Sequence, residues 1–158
     1  MTEKAFQDYY PDKVSHCYGC GTLNDHGLKI KSYWDGDESV CVYEPKDYHL
    51  AFQGYVYGGL MASIIDCHSI GTAVAVTIRD AGHSMDDEPE FGFVTGSLHV
   101  DFLAPALTGK KLELRSQITK STEKKVVIST TLSVEGTACA KGEVVAIKLP
   151  YGLISTMI

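Results

Sequence analysis

The chain has 158 residues, with 14 Lys+Arg against 20 Asp+Glu, a formal net charge of −6, and 44% apolar against 22% charged residues. That is the balance of one folded domain with room for one core, and it excludes a disordered chain. The acidic excess argues against a general nucleic-acid binder, which needs a dominant basic face to neutralise phosphates.

Residues 1–15 read as a lead-in with a short helix before Pro11, and residues 16–158 as a single domain. The opening MTEKAFQDYYPDK has no apolar core of the kind a secretory signal needs. Residues 27–34 and 39–45 read as strands, the first alternating Leu28 and Ile30 with Lys29 and Lys31, and the WDGD between them supplies a turn. A helix is expected from Gly58-Gly59 to about Ile78. It is apolar on every side, which marks a buried helix. Ser63, Asp66, His68, Ser69 and Thr72 interrupt it, so no membrane span is expected.

Residues 80–91 form a polar loop whose acidic run reads as a solvated surface. Four more strands follow at 92–104, 109–120, 125–136 and 137–149. In the first of them Val94, Leu98, Val100 and Phe102 fall on one face; in the second Leu112, Leu114 and Ile118 do. Two strands, one long helix and four strands make an α+β order, an antiparallel sheet wrapped on one buried helix. A helix apolar all round needs more cover than one such sheet gives, so a partner chain is expected. The five cysteines (17, 20, 41, 67 and 139) are an odd number in a chain large enough to fold without disulfides. They suit a reducing, cytoplasmic setting.

Three motifs in order carry a resemblance. The first is C-x-G-C-x-x-N-x-x-G-L, here Cys17, Cys20, Asn24, Gly27 and Leu28. The second runs from Gln53-Gly54 through Gly58-Gly59 to Asp66. The third is a strand with Thr95, Leu98, Val100, Phe102 and Pro105. Over residues 16–149 the chain resembles the hotdog-fold acyl-CoA thioesterases, in particular the phenylacetic-acid-pathway type and the related mitochondrial thioesterase-superfamily members. The resemblance implies a homodimer or homotetramer that splits an acyl-CoA thioester into free acid and coenzyme A, with coenzyme A entering as substrate and no separate cofactor. One position departs from the family pattern: Tyr57 stands where a His usually precedes Gly-Gly. That leaves a second reading, a non-catalytic or weakly active protein that binds acyl-CoA.

The site residues have physical roles of their own. The first N–H groups of a helix lack internal partners and sit at its positive end, so Gly58 and Gly59 can stabilise a developing thioester oxyanion. The bland alternative is close packing at a helix start. Asp66 is the one carboxylate within the apolar helix, either a satisfied core residue or the general base or nucleophile toward the thioester carbon. Gly59 and Asp66 lie about 10 Å apart along the axis at about 1.5 Å per residue, too far for one chain to aim both at one carbon. The family's solution is a composite site, Gly-Gly from one subunit and Asp from the other.

Thr95 matches a family strand Thr that positions the Asp or the water, and is otherwise an ordinary strand residue. Ser63 either orients Asp66 or bonds back to its own helix. Tyr57, whose phenol is a neutral donor near pH 7, either donates to the substrate or packs in the acyl pocket. Asn24 and Gln53 belong to segments that line the substrate mouth in relatives. Lys110 and Lys111 open a basic run with Arg115, Lys120, Lys124 and Lys125, which either meets coenzyme A phosphates or forms a solvated hairpin. Cys17 and Cys20, with His16 and His26 nearby, form one C-x-x-C without a second pair, and no metal is expected from it. Cys67 is placed on a different side of the helix from Asp66, so a Cys67–His68 nucleophile is not expected.

Overall fold

The computed structural model describes residues 3–157. Six strands, β1 (Ser32–Asp35), β2 (Glu38–Tyr43), β3 (Phe91–Phe102), β4 (Leu112–Ser121), β5 (Lys125–Val134) and β6 (Thr137–Pro150), form one antiparallel sheet in the order β1-β2-β4-β5-β6-β3. The long helix α1 (Gly58–Asp80) packs across it, and a short helix α2 (Tyr151–Met157) follows β6. This is the hotdog arrangement. Ile64 and Ile65 of α1 are fully buried with Leu114, Ile128, Leu132 and Val144 of the sheet. Such apolar burial stabilises each side chain by about 1.5–3 kcal/mol relative to exposure. Gly142 keeps β6 close to α1, since a Cβ there would meet Ile65 at 2.5 Å.

The first strand is shorter than the sequence predicts. Residues 27–31 stay outside the sheet because Leu28 and Ile30 donate to the carbonyls of Tyr18 and Gly19 instead, and Lys29 takes a left-handed φ of 53°. The lead-in is docked: two short 3-10 turns, Phe6–Tyr9 and Asp12–Val14, place Phe6 against Trp34 and Gln7 against Ser32.

α1 does not bury every side. Its sheet-facing surface holds His68, Ser69 and Thr72, each paired through hydroxyls, while Ala62, Ser63, Asp66, Cys67, Ile70 and Val74 form a half-buried stripe on the other side. By length and composition α1 would pass for a membrane span, contrary to the sequence reading; most of that apolar stretch is buried within this fold.

β3 carries the second departure. Its register against β6 shifts between Thr95 and Ser97, so Gly96 is an extra residue. Residues directly opposite share a face. Thr95 lies opposite buried Ala146, whereas Leu98 lies opposite buried Val144 and Val100 opposite Gly142. The bulge therefore exchanges the alternation: Phe93 and Thr95, not Val94, share the helix side with Leu98 and Val100. Bulges serve this purpose of re-aiming a side chain.

Candidate functional site

A cavity of about 360 Å³ opens between α1, β3, α2 and the N-terminal loop. Its floor is α1, seen one turn at a time: Asp66 and Cys67, then Ile70, Val74 and Ile78. Residues four apart share a helix face, so the carboxylate sits at one end of an apolar trough roughly 18 Å long at about 1.5 Å per residue. Phe93, Thr95 and Ile154 close the other sides.

Thr95 Oγ1 donates to Asp66 Oδ1 at 2.6 Å. Burial raises the Asp66 carboxyl above its ordinary value; the Thr95 bond pulls it down, and the neighbouring Cys17 pushes it up again. Thr95 uses its one hydrogen here, which fixes one carboxylate oxygen and leaves the other without a protein donor among the described residues. A held, partly desolvated carboxylate is suited to accept a proton from water or to attack a carbonyl carbon.

The Gly-Gly segment is elsewhere. Tyr57 is the N-cap of α1, with extended backbone and no side-chain cap bond, and neither Gly58 nor Gly59 donates its N–H to an acceptor among the described residues. These are the orphan donors of a helix start. Neither glycine lines the Asp66 cavity, as their separation along the helix requires. The Tyr57 ring is half exposed and lies over Gly59, filling the space a Cβ would need. Gly58 instead faces Phe102, whose ring lies 3.4 Å from where its Cβ would be.

Ser63 takes the local option: its Oγ donates to the Gly59 carbonyl at 2.7 Å. Asn24 spends its side chain on its own loop, donating to His16 O at 3.1 Å and accepting from His26 N at 3.0 Å. Gln53 is exposed in the loop before α1. Lys110 and Lys111 line a separate hollow with Val42 and Glu113, and Lys110 is ion-paired with Glu135 at 2.9 Å. Arg115 lies among Asp35, Glu38 and Glu113. Part of the basic run is thus neutralised by carboxylates that the linear sequence keeps far away.

Sequence reasoning missed two contributors. α2 supplies Tyr151 and Ile154 to the cavity, and Ile154 occupies the space beside Gly92 that a side chain there would take. Cys67 lines the same cavity as Asp66, and its sulfur lies 3.7 Å from that of Cys17. His68 does point away: it is fully buried between Ser32, at 2.8 Å from Nδ1, and Ser39, at 3.3 Å from Nε2, and burial lowers its pKa to about 4. The signal for Cys67 was present as a third thiol in a chain with a C-x-x-C loop, but only the fold joins them.

A six-stranded antiparallel sheet packed around one long helix defines the hotdog class. The Thioesterase superfamily profile matches residues 53–141, and the chain belongs to that family. A Thioesterase superfamily protein from Shewanella loihica is 40% identical, with 89% of this chain and 100% of that one covered and a TM-score of 0.67. The fold also matches the Escherichia coli PaaI protein of the phenylacetic acid degradation operon, at 15% identity, 77% and 80% coverage and a TM-score of 0.62. A Streptococcus mutans protein bound to acetyl CoA matches at 15% identity, 77% and 89% coverage and a TM-score of 0.63. No curated protein matches the chain.

Proposed function

We propose that the protein hydrolyses an acyl-CoA thioester in a homodimer, or a tetramer built from such dimers, with Asp66 of one subunit acting on a carbonyl held at Gly58 and Gly59 of the other. The observation that carries this reading is the Thr95–Asp66 hydrogen bond at the polar end of the apolar trough. The acyl group lies along Ile70 and Val74, and the thioester carbonyl lies at its head. The free N–H groups at the start of α1 stabilise the oxyanion as water, deprotonated by Asp66, attacks; the coenzyme A thiolate leaves and takes up a proton. Direct attack by the carboxylate is the alternative for the same residue, and it would leave a mixed anhydride for water to cleave.

Three features support the dimer. β3 is a twelve-residue edge strand, and long unpaired edges are normally covered. Leu98, Phe102 and Leu103 are exposed on it or just beyond it. Phe52 and Tyr57, just before α1, also present exposed aromatic rings in the single chain. Two of the similar folds, from Streptococcus mutans and Streptococcus pneumoniae, hold acetyl CoA and coenzyme A, which supports the ligand class. Five free cysteines go with a cytoplasmic setting.

The test is release of free thiol from a panel of acyl-CoAs by wild type and by Asp66→Asn. Turnover in wild type that falls in Asp66→Asn supports hydrolysis. Thermal stabilisation by acyl-CoA without thiol release from any panel member assigns the protein to binding, with the Tyr57 ring over Gly59 as the physical reason.

A further inference from the structure

We propose that Cys17, Cys20 and Cys67 form a three-thiolate site for a soft, tetrahedral divalent cation of the zinc type, tying the N-terminal loop to α1 beside Asp66. The three sulfurs come from two remote parts of the chain and all lie within 4.8 Å of one another. Cys17 and Cys67 sulfurs are 3.7 Å apart. Two thiolates on one tetrahedral cation at about 2.3 Å each stand about 3.8 Å apart, whereas a disulfide requires about 2.05 Å.

The loop is shaped for this approach. The Gly21 N–H donates to the Cys17 carbonyl at 2.8 Å. A Cβ at Gly21 would come within 2.5 Å of Cys17 N and Ser15 O, so the turn closes only with glycine. A Cβ at Gly19 would run into the Cys67 sulfur. Both glycines are therefore used to bring the sulfurs together, which a chance meeting of thiols would not need. All three cysteines line the cavity, leaving the cation's fourth position open toward it for a water. Each thiol releases its proton to solvent as the cation binds, and no electron transfer is involved.

The test reads the metal directly and needs no thioester turnover. The reduced full-length protein is titrated with Co²⁺. The expected result is one Co²⁺ per chain, with sulfur-to-metal charge-transfer absorption in the near ultraviolet, strong tetrahedral d–d bands, and displacement of both by Zn²⁺. Cys67→Ser and the exposed Cys17→Ser each abolish the bands, Cys67→His retains them in shifted form, and Cys139→Ala, in the core, leaves them unchanged. If Cys67→Ser does not fold, Cys17→Ser decides. Absence of the bands in reduced wild type, or their survival in Cys17→Ser, overturns the proposal. So does a Cys17–Cys67 disulfide that gives no Co²⁺ bands once reduced.

Discussion

The two sides of helix α1 treat their polar residues differently. On the sheet side, His68 is held at both ring nitrogens by Ser32 and Ser39, Ser39 meets Thr72 at 2.5 Å, and Ser69 meets Thr130 at 2.8 Å. Buried polar groups in such a closed network stiffen a core and have nothing left to offer a ligand. On the cavity side, Asp66 has one protein donor and a free oxygen among the described residues, at the head of an apolar trough. Residues two positions apart on one helix are thus closed to a ligand in one case and open to one in the other, because full satisfaction leaves a polar group nothing to offer and partial satisfaction leaves it something.

Substitutions can break this contrast. Asp66→Asn is expected to lower kcat by about 100-fold or more, the usual contribution of general acid–base catalysis, with little change in melting temperature; a loss of stability with activity retained would make Asp66 structural. His68→Ala should do the reverse. It opens a cavity and leaves Ser32 and Ser39 short of a partner, costing about 2–4 kcal/mol in denaturant unfolding, while the folded fraction keeps its turnover.

The same histidine gives a pH signature. Its folded pKa is depressed to about 4, so the fold holds it neutral and the unfolded chain takes up the proton first. Its contribution is complete above about 6.5 and is lost as pH falls from there toward about 4. Urea melts of wild type across that range should show the decline, and His68→Ala should flatten it. Thr95→Val, which removes the donor but keeps the shape, is expected to cost about tenfold in kcat, or about 1.4 kcal/mol, with unchanged stability. The smallest effect is reserved for Tyr57→Phe. A ring that only packs over Gly59 predicts a change within the error of the assay, and a clear fall in kcat would make its hydroxyl a donor to the substrate.

Much of this could be read from residue order. The start of α1 at Gly58 follows from two glycines before an apolar periodic run, and the strands from β2 to β6 follow from their alternation. The bulge did not, since one extra residue is invisible to a period of two except as a glycine inside a strand; yet it is what turns Thr95 toward Asp66. The 27–31 segment alternates like a strand but gives its hydrogen bonds to the cysteine loop. Lys110 and Arg115 look cationic in sequence and lose that character to Glu135, Asp35 and Glu38, brought in by strand pairing. Cys67 joins Cys17 only through a contact fifty residues long. Local patterns were legible, and so, through the family pattern, was Thr95 beside Asp66; the other remote partners were not.

In the proposed dimer each site takes its carboxylate from one chain and its oxyanion donors from another. Mixed dimers of Asp66→Asn and Gly58→Pro test it most directly. Proline suits the first position of a helix and removes only the N–H, and Tyr57 before it is already extended, as a residue preceding proline must be. Each parent dimer should be nearly inactive. In the mixed dimer one interface pairs an intact Asp66 with an intact Gly58, so thiol release from acyl-CoA should return. If the mixed dimer stays as inactive as its parents while both variants dimerise, the site lies within one chain and the composite account is wrong.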